Sequence, residues 1–258
     1  MPVSPLALPT PPDGVCVFRG HRAQRLSQAQ FFDELGHTFM PGTPLMQAPL
    51  GLAAYAPAVL DHPDPPKGYP DEIAIVAYAS REIYDAKRTS SLSRRMYTHA
   101  HWSVFDMDRS TATFPVSIED NPADDADTTW YLFDTPIDWQ DGQTRVAFIT
   151  PAAPDAGFPA ALRASAHAAA PTVHERGCDQ VIAVATPDYA AMWMHTSTPP
   201  SAPLADLQLS PAGSVVTREL VCQRAYMRGD DDSGVKISGA ASFSFIFSRD
   251  LQYFAAQP

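Results

Sequence analysis

The sequence predicts an α+β chain made of two similar units in tandem. Three observations predict it. The apolar run DEIAIVAYAS at 71–80 passes without a linker into REIYDAKRTSSLSRRMYTHAHWSVF, a helical pattern with a His-rich exit. The stretch EDNPADDADTT at 119–129 is acidic, polar and aperiodic, and breaks the chain near its middle. Beyond that break the elements recur in a similar order of strand, helix, strand, strand, and a further helix is legible only in the first half.

The totals bound the class. Over 258 residues, apolar content is 45% and charged content 18%, as in a globular protein. The 26 prolines are about twice the average usage and mark irregular connections. A net charge of −11, with no Lys/Arg cluster, disfavours binding to a phosphate backbone. Three cysteines without close spacing argue against a disulfide framework and for a reducing compartment. Residues 1–14 form a Pro-rich tail without the basic and apolar regions of a secretory signal. No run approaches the roughly 20 apolar residues of a spanning helix. The expectation is a soluble cytoplasmic protein, monomer or homodimer, with neither nucleic acid nor membrane as partner.

Taken in order, VCVFR at 15–19 is a strand ended by Gly20. Ser27 is placed to cap a helix whose apolar positions are Phe31, Phe32 and Leu35, ending near Gly36 or His37. The segment FMPGTPLMQAP at 39–49 has too many prolines for a regular element and is too apolar for a free loop, so it is expected to pack over the domain. GLAAYAPAVL at 51–60 reads as a strand, with Pro57 pointing to an edge or a bulge. In 73–78 both faces are apolar, which suits a strand covered on both sides. Ser80 caps the next helix, whose apolar stripe is Ile83, Tyr84, Lys87, Leu92 and Met96. TFPVSI at 113–118 is a short strand.

In the second half, strands are expected at 130–133, 145–150 and 178–186, with 189–195 extending the last. An Ala-rich helix at 158–177 is disturbed by Pro171. Residues 215–227 fit a strand or a helix. ASFSFIF at 241–247 alternates as a half-buried strand.

A strand, a helix carrying Phe31-Phe32-x-x-Leu35, a strand, then an apolar strand running directly into a helix as IVAYASREIYDAKR resembles the ferredoxin-like unit of the dimeric α+β barrel superfamily. The resemblance covers 15–120 and, by order of elements, 130–250. It implies a first ferredoxin-like unit at 15–120, an acidic linker at 121–129 and a second unit at 130–258. It also implies that antiparallel sheets of tandem ferredoxin-like units form an α+β barrel. That superfamily includes cofactor-free monooxygenases, lactone isomerases, haem enzymes and proteins of no known activity, so the resemblance implies a pocket without choosing its chemistry.

The densest chemical cluster is YTHAHW. On an extended segment, residues two apart face the same side, so His99 and His101 would point at one substrate or one metal, with Tyr97 beside them as a third catalytic candidate. Arg94, Trp102 and Tyr78 are the candidate substrate-binding residues, Arg19 is a possible further cation, and Asp106 and Asp108 stand ready to orient an imidazole. Against this stands the plain reading of histidines near a helix C-terminus, where the dipole favours them. His21, His37, His174 and His195 are isolated and read as surface or satisfied core residues. Cys16, Cys178 and Cys222 lie in apolar runs and read as inert thiols. The DDDSG stretch at 230–234 lacks the spacing of a calcium loop, with Val235 and Ala241 where Gly and Glu are required. The chain has no dinucleotide or phosphate-loop glycine motif, no nucleophile elbow and no H-E-x-x-H, and neither cofactor nor metal is expected from any motif.

Three functions remain open at this level. The first is an enzyme acting on a small, largely apolar organic molecule by oxygenation or proton transfer. The second is a ligand-binding or assembly protein without catalysis. The third is a haem or metal enzyme using His99 and His101. A pocket in which His, Tyr and Arg converge would favour the first, and a purely apolar one the second.

Overall fold

The computed structural model describes residues 14–62, 64–88, 91–114, 128–133, 142–197, 211, 213–224, 237 and 239–246. The Pro-rich tail, most of the acidic linker, Trp139 and the DDDSG stretch lie outside them. The chain divides into two compact units, Met1–Asp61 with Pro70–Pro115 and Gln223–Pro258, and His62–Tyr69 with Val116–Cys222.

The first unit begins with β1 (Val15–Gly20), buried along its length. Ser27 then caps α1 (Gln28–Glu34) through a reciprocal box, in which its hydroxyl accepts from the Gln30 backbone and Gln30 returns a bond to the Ser27 N–H. The helix does not stop at Gly36. It continues through a π-helical turn (Leu35–Phe39) into α2 (Met40–Gln47) and a 3-10 turn ending at Leu50. This overturns the expectation that prolines keep 39–49 irregular. Pro41 follows directly on the π-helical turn and Pro44 sits inside α2, so both prolines lie within one continuous helical run. The buried Thr43 hydroxyl donates to the Phe39 carbonyl at 2.7 Å. As expected, the segment packs inward: Phe39, Met40 and Leu50 are buried.

Gly51 turns the chain with φ of 85° into β2 (Leu52–Val59), followed by β3 (Glu72–Tyr78), whose seven residues are all buried. Pro57 is not on an edge strand of this unit, because β2 lies between β3 and β10 (Ala241–Ile246).

After β3, Ser80 accepts from the Ile83 N–H and starts α3 (Arg81–Arg88). A second cap, Ser91 accepting from Arg94, starts α4 (Leu92–Val104). The single helix with a His-rich exit is therefore two helices, and the His-rich residues belong to the second. The expected apolar stripe is also displaced. Leu92 is 70% exposed and Met96 52%, while the buried side of α4 carries Tyr97, His101 and Val104. A three-residue strand, β4 (Thr111–Thr113), follows and pairs with β1.

The second unit contains β5 (Thr128–Tyr131), β6 (Gln143–Thr150), α5 (Phe158–Glu175), β7 (Gln180–Ala185), β8 (Ala190–Thr196) and β9 (Val215–Arg224). Thr128 and Thr129, expected in the linker, already belong to β5. Residues 189–195 do not extend the preceding strand but fold back on it as β8. The Thr186 hydroxyl holds the turn by accepting from the Asp188 and Tyr189 backbones. The α5 helix runs through Pro171.

Strand order reveals the repeat. The first unit has the order β4-β1-β3-β2-β10 and the second β9-β6-β8-β7-β5. Numbering each repeat from its own first strand, both read 4-1-3-2 with an extra strand beside strand 2, and neighbouring strands within each unit run antiparallel. That is the ferredoxin-like arrangement. The extra strand is C-terminal in the first unit and N-terminal in the second, so β10 is not part of the 130–258 body in which its sequence position would place it. Among the described residues each unit's strands form a linear array that does not close on itself.

Candidate functional site

In β1 and β3 alternate residues face the helices. Cys16 and Phe18 on β1 lie opposite Val76 and Ala74 on β3, on the same face as Tyr78 and Glu72. The helices cover this face with Phe31, Leu35, Phe39, Tyr97, Val104 and Phe105. Where α4 passes over the strands they leave a cleft of about 130 Å³, lined by Cys16, Phe18, Val76, Tyr78, Tyr84, Arg94, Tyr97, Thr98, His101, Met107, Ala112 and Phe114.

Of the residues expected to carry chemistry, Tyr97, His101, Arg94 and Tyr78 meet in this cleft, and His99 and Trp102 do not. The expectation that His99 and His101 share a side rested on extended backbone. In a helix, residues two apart are turned by roughly 200° relative to each other. His99 is therefore exposed, with Trp102 edge-on to it at 5.6 Å. Trp102, 57% exposed, borders a separate shallow groove with Arg25, Phe105 and Asp106. One ion held by both histidines is ruled out by this geometry. Among the described residues no group of three or more His, Cys, Asp or Glu side chains is arranged around a metal position. Arg19 lies on the other face of β1 from Phe18 and donates to Thr113 at 2.8 Å. Asp106 and Asp108 do not face His101. The Asp106 carboxylate caps the Asp108 N–H and accepts from Gln24.

His101 is placed by its own helix. Its Nδ1 lies 2.8 Å from the Tyr97 carbonyl, which only accepts, so Nδ1 carries the hydrogen and Nε2 the lone pair. The rings of Tyr97, Phe39 and Phe18 surround it at 4.0, 4.8 and 5.2 Å. Burial among these rings pushes its pKa down to about 4, so the imidazole is neutral near pH 7. Burial raises the Tyr97 and Tyr78 hydroxyls above the usual phenol range, leaving both as neutral donors. Burial likewise raises the Cys16 thiol, and the Cys178 thiol of the second unit is pushed up to about 12. Both behave as the inert thiols the sequence suggests.

Arg94 supplies positive charge. Its guanidinium lies 5.8 Å from the centre of the Tyr84 ring and 6.0 Å from that of Tyr97. Its field reaches Cys16, Tyr78, Tyr97 and His101. Among the described residues no carboxylate lines the cleft.

Sequence reasoning passed over Glu72. This carboxylate has no solvent exposure, and its Oε1 accepts from the Tyr55 hydroxyl at 2.7 Å. Burial raises its pKa to about 7, against the opposing pull of the Tyr55 bond. Gln47, also fully buried, lies near enough to the Tyr97 hydroxyl to favour its ionisation, without an aligned hydrogen bond. The Glu72 Oε2 and both Gln47 amide atoms have no hydrogen-bond partner among the described residues. The available signal was an acidic residue in register with Ala74, Val76 and Tyr78 on a strand otherwise apolar on both faces.

The isolated histidines are held locally. His21 faces the Arg109 guanidinium at 3.3 Å, His37 pairs with Asp33 at 3.0 Å, and His195 with the Thr144 hydroxyl at 3.0 Å.

No protein-family description matches the chain, and no curated protein does. Among solved structures it is similar to an anthrone oxidase-like protein, at 8% identity over 71% of this chain and 72% of that one, with a TM-score of 0.35. It is similar to a candidate monooxygenase from Lactobacillus acidophilus NCFM, at 8% identity over 71% and 76%, with a TM-score of 0.35. A third is a candidate monooxygenase from Fusobacterium nucleatum subsp. nucleatum, at 10% identity over 88% and 93%, with a TM-score of 0.37. The fold rests on strand order. No helix among the described residues is long and apolar enough to cross a membrane.

Proposed function

We propose that the first unit is an enzyme acting on a small, largely apolar organic molecule, by oxygenation or proton transfer in the cleft beneath α4. The observation that carries this reading is the convergence of Tyr97, His101, Arg94 and Tyr78 on one aromatic-walled cleft. In it, Arg94 would hold an oxygen that becomes negative, Tyr97 would donate a hydrogen bond to it, and the Nε2 lone pair of His101 would accept a proton.

Ligand binding without catalysis is favoured by one observation. His101 is packed on several sides by rings and bonded to its own helix, as a core histidine is. A single assay separates the two. The full chain is incubated with small phenols, ketones and lactones while dissolved oxygen and solvent-deuterium incorporation are followed. Oxygen uptake or exchange that is lost in Tyr97→Phe supports the enzyme. Saturable binding with neither signal would establish the binding protein instead.

A further inference from the structure

We infer that the cleft takes a monocyclic aromatic carboxylate, its ring among Tyr78, Tyr84 and Phe114 and its carboxylate on Arg94. The inference rests on the reading of this cleft as a ligand site and narrows what enters it.

Size sets the first limit. The cleft holds about 130 Å³, slightly less than the ~150 Å³ of an engineered apolar cavity that accommodates benzene. One ring with a small substituent fits, and a second fused ring does not fit without movement of the walls. Those walls are well fixed. The Tyr78 and Tyr84 rings lie 4.5 Å apart, Tyr84 and Phe114 5.3 Å, and Tyr78 and Phe114 6.1 Å, so each ring is held by the other two. Such surfaces favour a flat aromatic over a branched aliphatic of equal volume.

Charge sets the second limit. Two guanidinium groups approach these rings. Arg81 lies 4.4 Å from the centre of Phe114, but its Nε is already bonded to Asp85 at 2.7 Å. Among the described residues no carboxylate lies within ion-pair distance of Arg94, and none lines the cleft. A guanidinium against apolar walls is a planar fork of donors that matches a carboxylate in two parallel bonds, in surroundings where screening by water is reduced. The remaining polar groups, the hydroxyls of Tyr78, Tyr84, Tyr97 and Thr98, the Cys16 thiol and the neutral His101 ring, add no second charge. An anion of single charge on a ring therefore suits the cleft, and a cation is repelled.

The test is calorimetric titration of the full chain with benzoate, benzamide and 2-naphthoate, for the natural sequence and for Arg94→Met. Benzoate is expected to bind at least tenfold tighter than benzamide. That preference is expected to vanish in Arg94→Met, and 2-naphthoate is expected to bind more weakly than benzoate. Equal affinities for benzoate and benzamide in the natural chain would overturn the carboxylate while leaving an apolar cleft in place, and this comparison needs no variant to fold. Naphthoate binding as tightly as benzoate would overturn the single-ring limit. Binding of none of the three would overturn this inference. Should the phenols, ketones and lactones also give neither binding nor turnover, the reading of the cleft as a ligand site falls too.

Discussion

The Tyr55 hydroxyl donates to Glu72 Oε1 at 2.7 Å on neighbouring strands, and neither side chain is more than 1% exposed. An acid so placed keeps its proton to about pH 7, while in the unfolded chain it releases it near 4.5. Below pH 4.5 both states are protonated and burial has no electrostatic cost. As pH rises from 4.5 to 7 only the unfolded state ionises, and the fold loses up to about 3 kcal/mol. Glu72→Gln keeps the shape and removes the titration. Its stability relative to the natural chain is expected to be near zero at pH 4 and to grow until about pH 7. Urea denaturation across that range measures it, and a constant difference would show that Glu72 does not titrate there.

His101 titrates in the opposite sense. Its pKa falls from the ordinary 6.5 to about 4, so its contribution is complete above pH 6.5 and is lost as pH falls toward 4. Between pH 4.5 and 6.5 the two slopes, each at most about 1.4 kcal/mol per pH unit, oppose one another. The natural chain is expected to have nearly constant stability there. His101→Phe should lose stability as pH rises, and Glu72→Gln should gain it. The same slope in all three chains would contradict both assignments.

Tyr97 combines a packing ring with a cleft hydroxyl. Its ring stacks on Phe39 at 5.9 Å and meets His101 edge-on at 4.0 Å. Tyr97→Phe keeps the ring, and its unfolding free energy should stay within about 1 kcal/mol of the natural chain. Turnover, measured as oxygen uptake or deuterium exchange, should fall at least tenfold. Tyr97→Ala should cost about 3–5 kcal/mol through the cavity it leaves. His99→Ala, on the outer side of α4, should change neither quantity. Loss of turnover in His99→Ala would restore the sequence-based site and displace the cleft.

Gly20 ends β1 against packed aromatics. A Cβ there would lie 2.5 Å from Phe105 Cε1 and 2.8 Å from Phe18 Cε1. Phe105 is itself held by Phe31 and Phe39 at 5.8 and 5.2 Å and cannot retreat cheaply. Gly20→Ala should destabilise the first unit by about 1–3 kcal/mol, seen as a lower melting temperature. An unchanged melting temperature would mean that these rings repack freely.

How much of this was legible in the chain follows from which forces are local. The caps at Ser27 and Ser80 and the doubly apolar strand at 73–78 were readable, because each depends on a few neighbouring residues. The helical course of 39–49 was not, since its prolines argue locally against a helix that tertiary packing enforces. Sequence spacing put Tyr97 and His101, two of the four predicted residues that meet in the cleft, together for the wrong reason. Tyr97 and His101 meet because they are four apart on a helix, whereas His99 and His101 were paired on the premise of a strand.

From its own residues the chain determines an α+β alternation, the helix starts and an apolar central strand, because propensity, capping and periodicity act over a few positions. Only the tertiary structure decides that α4 turns Tyr97 and His101 inward and leaves Leu92 and Trp102 outside. It also decides that β10 joins the first unit and that Glu72 is dry. Those outcomes depend on what packs against each residue from distant parts of the chain, and no local spacing records that.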